Sequence, residues 1–365
     1  MNHLKFTSGF QGPGKYFSGL LRMSIFLVCF LTAWTFPALA ADNEFSVKAP
    51  RARHSLLLDC ASVDGFSIAV GERGHILISE DNGTSWNQAD VPTRATLTGV
   101  FFLDRNLGWV VGHDQVILRT KDGGETWSML YKDIEDDRPL FDVWFKDAKN
   151  GIAVGGYGLY LETADGGDTW VRSEFSPLAL STESAENKTP EDEFEEIWDF
   201  HFNQIIRSQN GHLYMAAEAG HVFRSDDDGK SWLTLPSPYS GSFFGCLPLK
   251  GDAVLIFGLR GHLFRSGDAG ETWQQVDLPT QATLTRGLYL ENGIIVLTGL
   301  GGTLLFSDDE GYTFTLKQQP NRQNILKSVK TNDGALVMVG AFGVKRINYN
   351  DLGIEKVSAP MEKDN

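Results

Sequence analysis

Cysteine is scarce in this chain and positive charge is in deficit. Its three cysteines, at 29, 60 and 246, cannot build a disulfide framework. No Cys-x-x-Cys, HExxH or comparable ligand spacing occurs, so nothing implies a metal, and no cofactor is implied either. Cys60 and Cys246 lie in apolar runs far apart in order and read as buried free thiols. Lys and Arg total 32 against 47 Asp and Glu, a formal charge of −15. That balance argues against nucleic acid, and against docking on anionic lipid by charge alone. Beyond residue 40 there is no long apolar run, so no membrane span is expected. With 39 glycines and frequent turn signals, little room is left for helix.

The first forty residues read as an export signal. Lys5, Lys15 and Arg22 form a positive region, Met23 to Ala33 is an apolar core too short to span a bilayer, and Ala38-Leu39-Ala40 is a small-residue cleavage site. Cys29 has no small residues before it, which does not suit lipoprotein processing. Cleavage after Ala40 would remove three positive charges and no acid, taking −15 to −18. An exported, periplasmic protein is expected.

What the chain does have is repetition. Thr120-Lys-Asp122-Gly-Gly124-Glu-Thr126-Trp127 reads [ST]-x-D-x-G-x-[ST]-W, and Ser79–Trp86, Thr163–Trp170, Ser225–Trp232 and Ser266–Trp273 fit the same template. Ser307–Phe314 fits with Phe in place of Trp. The aromatic positions 86, 127, 170, 232, 273 and 314 are separated by 41, 43, 62, 41 and 41 residues, the spacing of a propeller or other repeat array. Each octapeptide follows one β-type run and opens another, so it is a hairpin turn. Its Asp can accept from turn amides, its Gly can adopt positive φ, its hydroxyls can satisfy local backbone, and its Trp can pin the turn to the strands beneath. Asp81, Asp122, Asp165, Asp227, Asp268 and Asp309 are therefore expected to be structural.

Aligning the repeats on these turns yields strand, polar turn, strand ending in Val-Gly, tight turn, strand, octapeptide and strand. A seventh unit covers Ile325–Ile347 without a good octapeptide. The expected fold is all-β: a seven-bladed β-propeller of four-stranded antiparallel blades with Asp-box turns. The domain reading is a signal peptide at 1–40, the propeller at 41–350 with an acidic loop insertion at 174–196, and a tail at 351–365. Phe45–Lys48 could complete the last blade, hiding a sheet edge; Gly353–Ser358 is the alternative strand for that place.

In an up-and-down blade the octapeptides share one face, and the second-to-third turns share the other with the blade-to-blade connections. The latter face carries Glu72, Arg73, His113, Asp114, Tyr157, Glu218, Arg260 and Phe342, with Tyr239 on the connection into the fifth repeat. It mixes acids, bases and aromatics where the octapeptide face repeats one pattern. It is the candidate binding surface, and no catalytic residue is assigned. Pro236–Gly245 would expose Tyr239 if Phe243 and Phe244 pack inward. His75, His221 and His262 follow the turn glycine on different blades and read as structural.

The octapeptide resembles the Asp-box, or BNR, repeat of sialidases and related propellers, in which the box is a folding device on the rim. A sialidase would need an Arg-Ile-Pro-type motif, and Arg51-Ala52-Arg53 does not continue that way. A carboxylate pair for glycoside chemistry could be drawn from Glu72, Asp114 and Glu218. A sialidase-like hydrolase or a glycan-binding protein is thus the alternative reading. The fuller resemblance is to the photosystem II stability/assembly factor-like family of exported propellers. It is carried by Val-Gly-x-x-Gly-x-x-Leu-x-[ST]-x-Asp-Gly-Gly-x-Thr-Trp, as in Val154–Trp170, and by Gly108-Trp109-x-Val111-Gly112. The resemblance implies a non-catalytic scaffold or accessory factor that binds a membrane or periplasmic protein complex. A monomer is expected.

Overall fold

The computed structural model describes residues 44–179 and 199–348. The expected signal peptide, most of the acidic insertion and the tail lie outside the described residues. The strands form seven sheets, numbered here as blades 1 to 7 in chain order. Their first strands are Leu57–Val63, Leu97–Phe102, Leu140–Phe145, Phe202–Arg207, Phe243–Pro248, Leu284–Tyr289 and Ile325–Lys330. Each pairs antiparallel with the next strand in sequence. Each first strand also packs on the first strand of the following blade, and blade 7 packs back on blade 1. The ring is closed.

The second strands carry the core. Phe66–Gly71, Gly108–Gly112 and Gly151–Gly155 are buried at every position, because both faces of a middle strand meet a neighbouring blade. A strand covered on both sides must be apolar throughout, which explains unbroken runs such as Trp109-Val110-Val111. The glycine ending most second strands is there for a close approach. A β-carbon on Gly71, Gly112 or Gly155 would come within 2.1–2.3 Å of the carbonyl oxygen of Leu56, Thr96 or Pro139.

Every first strand is bulged at the same place, between residues 57 and 59 in blade 1 and at the matching step in the other six. The bulge re-aims side chains, and here residues at or beside it tie each blade to a neighbour at the tunnel wall. Asp59 Oδ2 accepts from the Val100 amide at 2.9 Å, and Thr98 Oγ1 donates to the Leu140 carbonyl at 2.6 Å. Asp142 Oδ2 accepts from the Ile205 amide at 3.1 Å. Asn203 Nδ2 donates to the Phe243 carbonyl at 2.8 Å while Gln204 Oε1 accepts from Cys246 at 2.9 Å. Arg286 reaches back from blade 6 to the Phe244 carbonyl at 2.8 Å, and Thr285 donates forward to Ile325 at 2.9 Å. The seventh junction is an ion pair, Lys327 Nζ to Asp59 Oδ1 at 2.6 Å.

The expected completion of blade 7 by Phe45–Lys48 is not found. That segment is held on the outer side of blade 1. The Ser46 amide donates to Val91, the Gln88 side chain accepts from the Ala49 amide and donates to the Val47 carbonyl, and Lys48 pairs with Asp90. With those groups committed there, it cannot also pair with the last blade. Among the described residues blade 7 has three strands. Its last strand, Gly343–Asn348, meets a short turn at Ala52–His54. Arg346 Nε also donates to the Asn82 carbonyl of the blade 1 box at 2.9 Å. The alternative segment, Gly353–Ser358, lies outside the described residues. Blade 4 departs in the other direction: Leu178–Ala179 adds a fifth strand, parallel to Leu233–Thr234.

Candidate interaction face

The two faces differ in how their turns are made. On the box face one hydrogen-bond pattern recurs. In blade 2, Thr120 Oγ1 donates to Asp122 Oδ1 at 2.7 Å and accepts from the Gly124 amide at 2.8 Å. The Thr126 amide and hydroxyl donate to the two Asp122 oxygens at 2.9 and 2.5 Å. Asp81, Asp165, Asp227, Asp268 and Asp309 repeat this arrangement. Hydrogen bonds to the charged form favour it. The Ser85 hydroxyl and amide hold Asp81 at about 2, and Thr169 does the same for Asp165. At Asp122 burial pulls upward, but the Thr126 and Thr120 bonds outweigh it and the carboxyl is lowered. The boxes also staple blades. Built on Gly83, Gly124, Gly167 or Gly229, a β-carbon would meet Val337, Ile78, Leu130 or Ile152 of the preceding blade at 2.2–2.9 Å.

On the opposite face the second-to-third turns share a backbone but not a side chain. Arg73, Asp114, Tyr157, Ala219, Arg260 and Gly301 occupy one left-handed position, with φ between 53° and 64°. Arg73, His113, Asp114, Tyr157 and Arg260 are exposed there. Glu72 is half-buried and accepts from the Leu56 amide at 3.3 Å. Glu218 is half-buried too, accepting from the His201 amide at 3.2 Å with His201 Nδ1 3.5 Å away. Phe342 is partly buried against the core of blades 6 and 7, which removes much of its value as an open anchor. Phe243 is buried as expected, but the exposure expected for Tyr239 is corrected: it is half-buried. Its ring stacks on His262 at 4.1 Å between centroids. An imidazole beside the Pro-rich connection offers the phenol ring a flat surface to cover.

The histidines pack as aromatic rings. His221 stacks on Phe200 and Phe223, and His262 on Tyr239 and Phe264. His75 is buried, and burial pushes its pKa below the ordinary value. Glu72, Asp114 and Glu218 stand on blades 1, 2 and 4 respectively. Cys60 and Cys246 are buried free thiols whose pKa burial pushes upward. Among the described residues no group of three or more His, Cys, Asp or Glu could hold a metal ion, and no helix is long and apolar enough to cross a membrane.

One charged cluster on this face is not apparent from the repeat pattern. Asp136, on the connection from blade 2 to blade 3, takes both Arg138 and Arg172 at 2.6 Å. The Arg138 bond foremost holds its carboxyl well below the usual range, and Asp136 in turn raises Arg138. Gln115 joins by donating to the Asp136 carbonyl and accepting from Arg172. Gln115 is fully buried at φ 49°, where the matching residue is Gly in blades 1, 3, 4, 5 and 6. That departure was the available signal. Arg138 also reaches the Tyr157 carbonyl at 3.4 Å, and the Tyr157 ring meets His201 edge-on at 4.7 Å. Cations and aromatics are thus gathered along blade 3, from the connection out of blade 2 to His201 at the entry of blade 4.

A family model described as "Photosynthesis system II assembly factor YCF48" matches residues 78–139. The chloroplastic photosystem II stability/assembly factor HCF136 of Cyanidioschyzon merolae is 31% identical over 115 residues, 30% of this chain and 25% of that protein. The matched part therefore spans a quarter of that relative's length. In structure, the chain is similar to YCF48 bound to D1 peptide, with a TM-score of 0.62 at 18% identity, covering 83% of this chain and 95% of that one. It is also similar to a streptogramin B lyase, with a TM-score of 0.65 at 15% identity over 83% and 95% of the two chains. At such identities the structural likenesses establish the seven-bladed propeller, which assembly factors and an enzyme share.

Proposed function

We propose that this chain, which resembles the photosystem II stability/assembly factor-like family in its repeat and its fold, is a non-catalytic accessory or assembly factor. It acts on the exported, periplasmic side and binds a protein of a membrane or periplasmic complex through the tight-turn face. The observation that carries this reading is the contrast between faces. Six boxes use their polar side chains to hold themselves, whereas the left-handed turns hold one backbone shape and present Arg73, Asp114, Tyr157 and Arg260 outward. Arginine and aromatic side chains are the usual anchors of protein interfaces, and a partner needs roughly 800 Å² per side. The likeness to a propeller described as bound to a D1 peptide supports a protein ligand.

Capture of membrane-complex proteins by the exported chain tests the reading. Arg73→Ala, Tyr157→Ala and Arg260→Ala are expected to weaken capture without lowering the melting temperature. Turnover of any member of a broad glycoside panel, lost in Asp114→Asn or Glu218→Gln with no partner recovered, would overturn it.

A further inference from the structure

The tunnel mouth on the tight-turn face holds a cavity of about 290 Å³. Leu58, Phe244 and Leu326, bulge residues of blades 1, 5 and 7, line it together with Leu300 and Thr285. Thr283 and Arg286, the latter the residue after the bulge in blade 6, complete the lining. First strands run inward from this face, so Arg286 follows the bulge on the inner side of the apolar collar. Arg286 Nη1 donates to the Phe244 and Thr285 carbonyls, and Nη2 to the Asn203 carbonyl. Of five N–H groups, Nε–H and one on Nη2 have no protein acceptor among the described residues. Two carboxylates share this level of the tunnel. Asp59 is taken by Lys327 and the Val100 amide, and Asp142 accepts from the Val143 and Ile205 amides.

We propose that this cavity is a binding site for an apolar carboxylate: a hydrophobic group on the collar and its acid directed inward at Arg286. The size suits a ligand of roughly ten heavy atoms, below the usual range for drug-sized pockets. A carboxylate matches the planar guanidinium and makes stronger hydrogen bonds than a neutral group. The apolar collar limits competing water and disfavours small hydrophilic anions. Either a free aromatic or aliphatic acid, or the terminal residue of a polypeptide, supplies this chemistry. The site does not depend on the protein-partner reading, since Arg73, Tyr157 and Arg260 do not line it.

Calorimetric titration of the exported chain with 3-phenylpropionate, and with an N-acetylated pentapeptide ending in phenylalanine, tests the site. Each is paired with its carboxamide. At least one acid should bind, with its amide weaker by about tenfold or more; which acid binds identifies the source. Arg286→Gln should reduce binding to the level of the amide. Because Arg286 also braces blades, Leu300→Glu at the rim provides a second variant; it should weaken binding about tenfold with an unchanged melting curve. Equal binding of acid and amide, undiminished binding in Leu300→Glu, or no binding at millimolar concentration to a folded wild type would each overturn the proposal.

Discussion

Rim and tunnel both use aspartate to fasten backbone, under opposite electrostatic conditions. A rim aspartate such as Asp81 takes hydroxyl and amide donors from its own turn, and those bonds hold it at about 2. In the tunnel, Asp142 accepts from the Val143 amide of its own strand and the Ile205 amide of the next blade, yet burial drives its carboxyl up to about 6 against the pull of Arg286 and Lys327. The rim solution is local and can be copied into every repeat. The tunnel solution is long-range, so each junction solves it with different residues.

The largest effect is expected where the tunnel solution is least redundant. Lys327→Met leaves the buried Asp59 without its cation at the 7–1 junction, where the blade has three described strands rather than four. Removing one partner of a buried pair costs about 3–5 kcal/mol, and the 7–1 junction is weakened with it. Chemical denaturation should show a fall of that size. Asp59→Asn combined with Lys327→Met should recover part of it, since no unpaired charge then remains. A loss below about 1 kcal/mol, within the range of exposed pairs, would show that closure rests elsewhere.

Breaking a rim turn should cost less, because each of the six boxes is one staple among several. Asp122→Ala removes the acceptor for the Thr120 and Thr126 groups, and Gly124→Ala puts a β-carbon 2.7 Å from Ile78 Cδ1 at φ 90°. Each is expected to lower stability by about 1–3 kcal/mol. The boxes also set the acid limit. Carboxyls depressed on folding contribute stability that is present above their unfolded value near 3.8 and is lost as pH falls towards about 2. Melting at stepped pH should therefore drop steeply between about 4 and 2, and less steeply in Asp122→Ala.

This difference governs what was legible in the sequence. The boxes, their spacing and hence the seven blades could be read because Asp122 and its five counterparts interact within eight residues. The buried second strands were legible for the same reason: unbroken runs such as Gly108–Gly112 report cover on both faces. The tunnel ties were not. Asp59, Thr98, Gln204 and Arg286 share no pattern, and their partners lie 41 to 42 residues away in the adjacent blade or across the ring closure. The misplaced N-terminal strand failed similarly, since Ala49 and Gln88 meet only through the fold. On the tight-turn face the turn residues were found, but the stacking of Tyr239 on His262 and the gathering of Arg138 and Arg172 on Asp136 depend on connections that follow no repeat.

A smaller effect of opposite sign should come from Asp142→Asn. Asn keeps an oxygen for the Ile205 amide and gives up the acceptor of the Val143 amide, but it removes a charge that the tunnel disfavours. A carboxyl at about 6 in the fold and near 3.8 unfolded binds more protons folded than unfolded between those values. Its contribution to stability therefore declines as pH rises from about 4 to 6 and stays low above. The variant should gain on the order of 1–2 kcal/mol at pH 7, after allowing for partial solvent access, and gain little near pH 4. A variant less stable than wild type at pH 7 would mean that Asp142 is worth more as the counter-charge of Arg286 and Lys327 than its burial costs.

The smallest change in stability should come from the tight turns, and it bears most on their role. Arg73, Asp114, Tyr157 and Arg260 sit in left-handed backbone at φ 53–57°, a conformation costing a side-chain-bearing residue about 1 kcal/mol more than glycine. Gly301 shows that glycine fits the same turn. Arg73→Gly relieves that strain, while the looser unfolded chain takes back roughly 0.5–1 kcal/mol. The net change in denaturant midpoint should lie within about 0.5 kcal/mol of zero. If Arg73→Gly and Arg260→Gly hold stability in that band while capture of the protein partner falls, these side chains occupy a strained position for the surface they present. A stability loss of 2 kcal/mol or more, on the scale of a buried contact, would make them part of the scaffold and erase the distinction between the two faces.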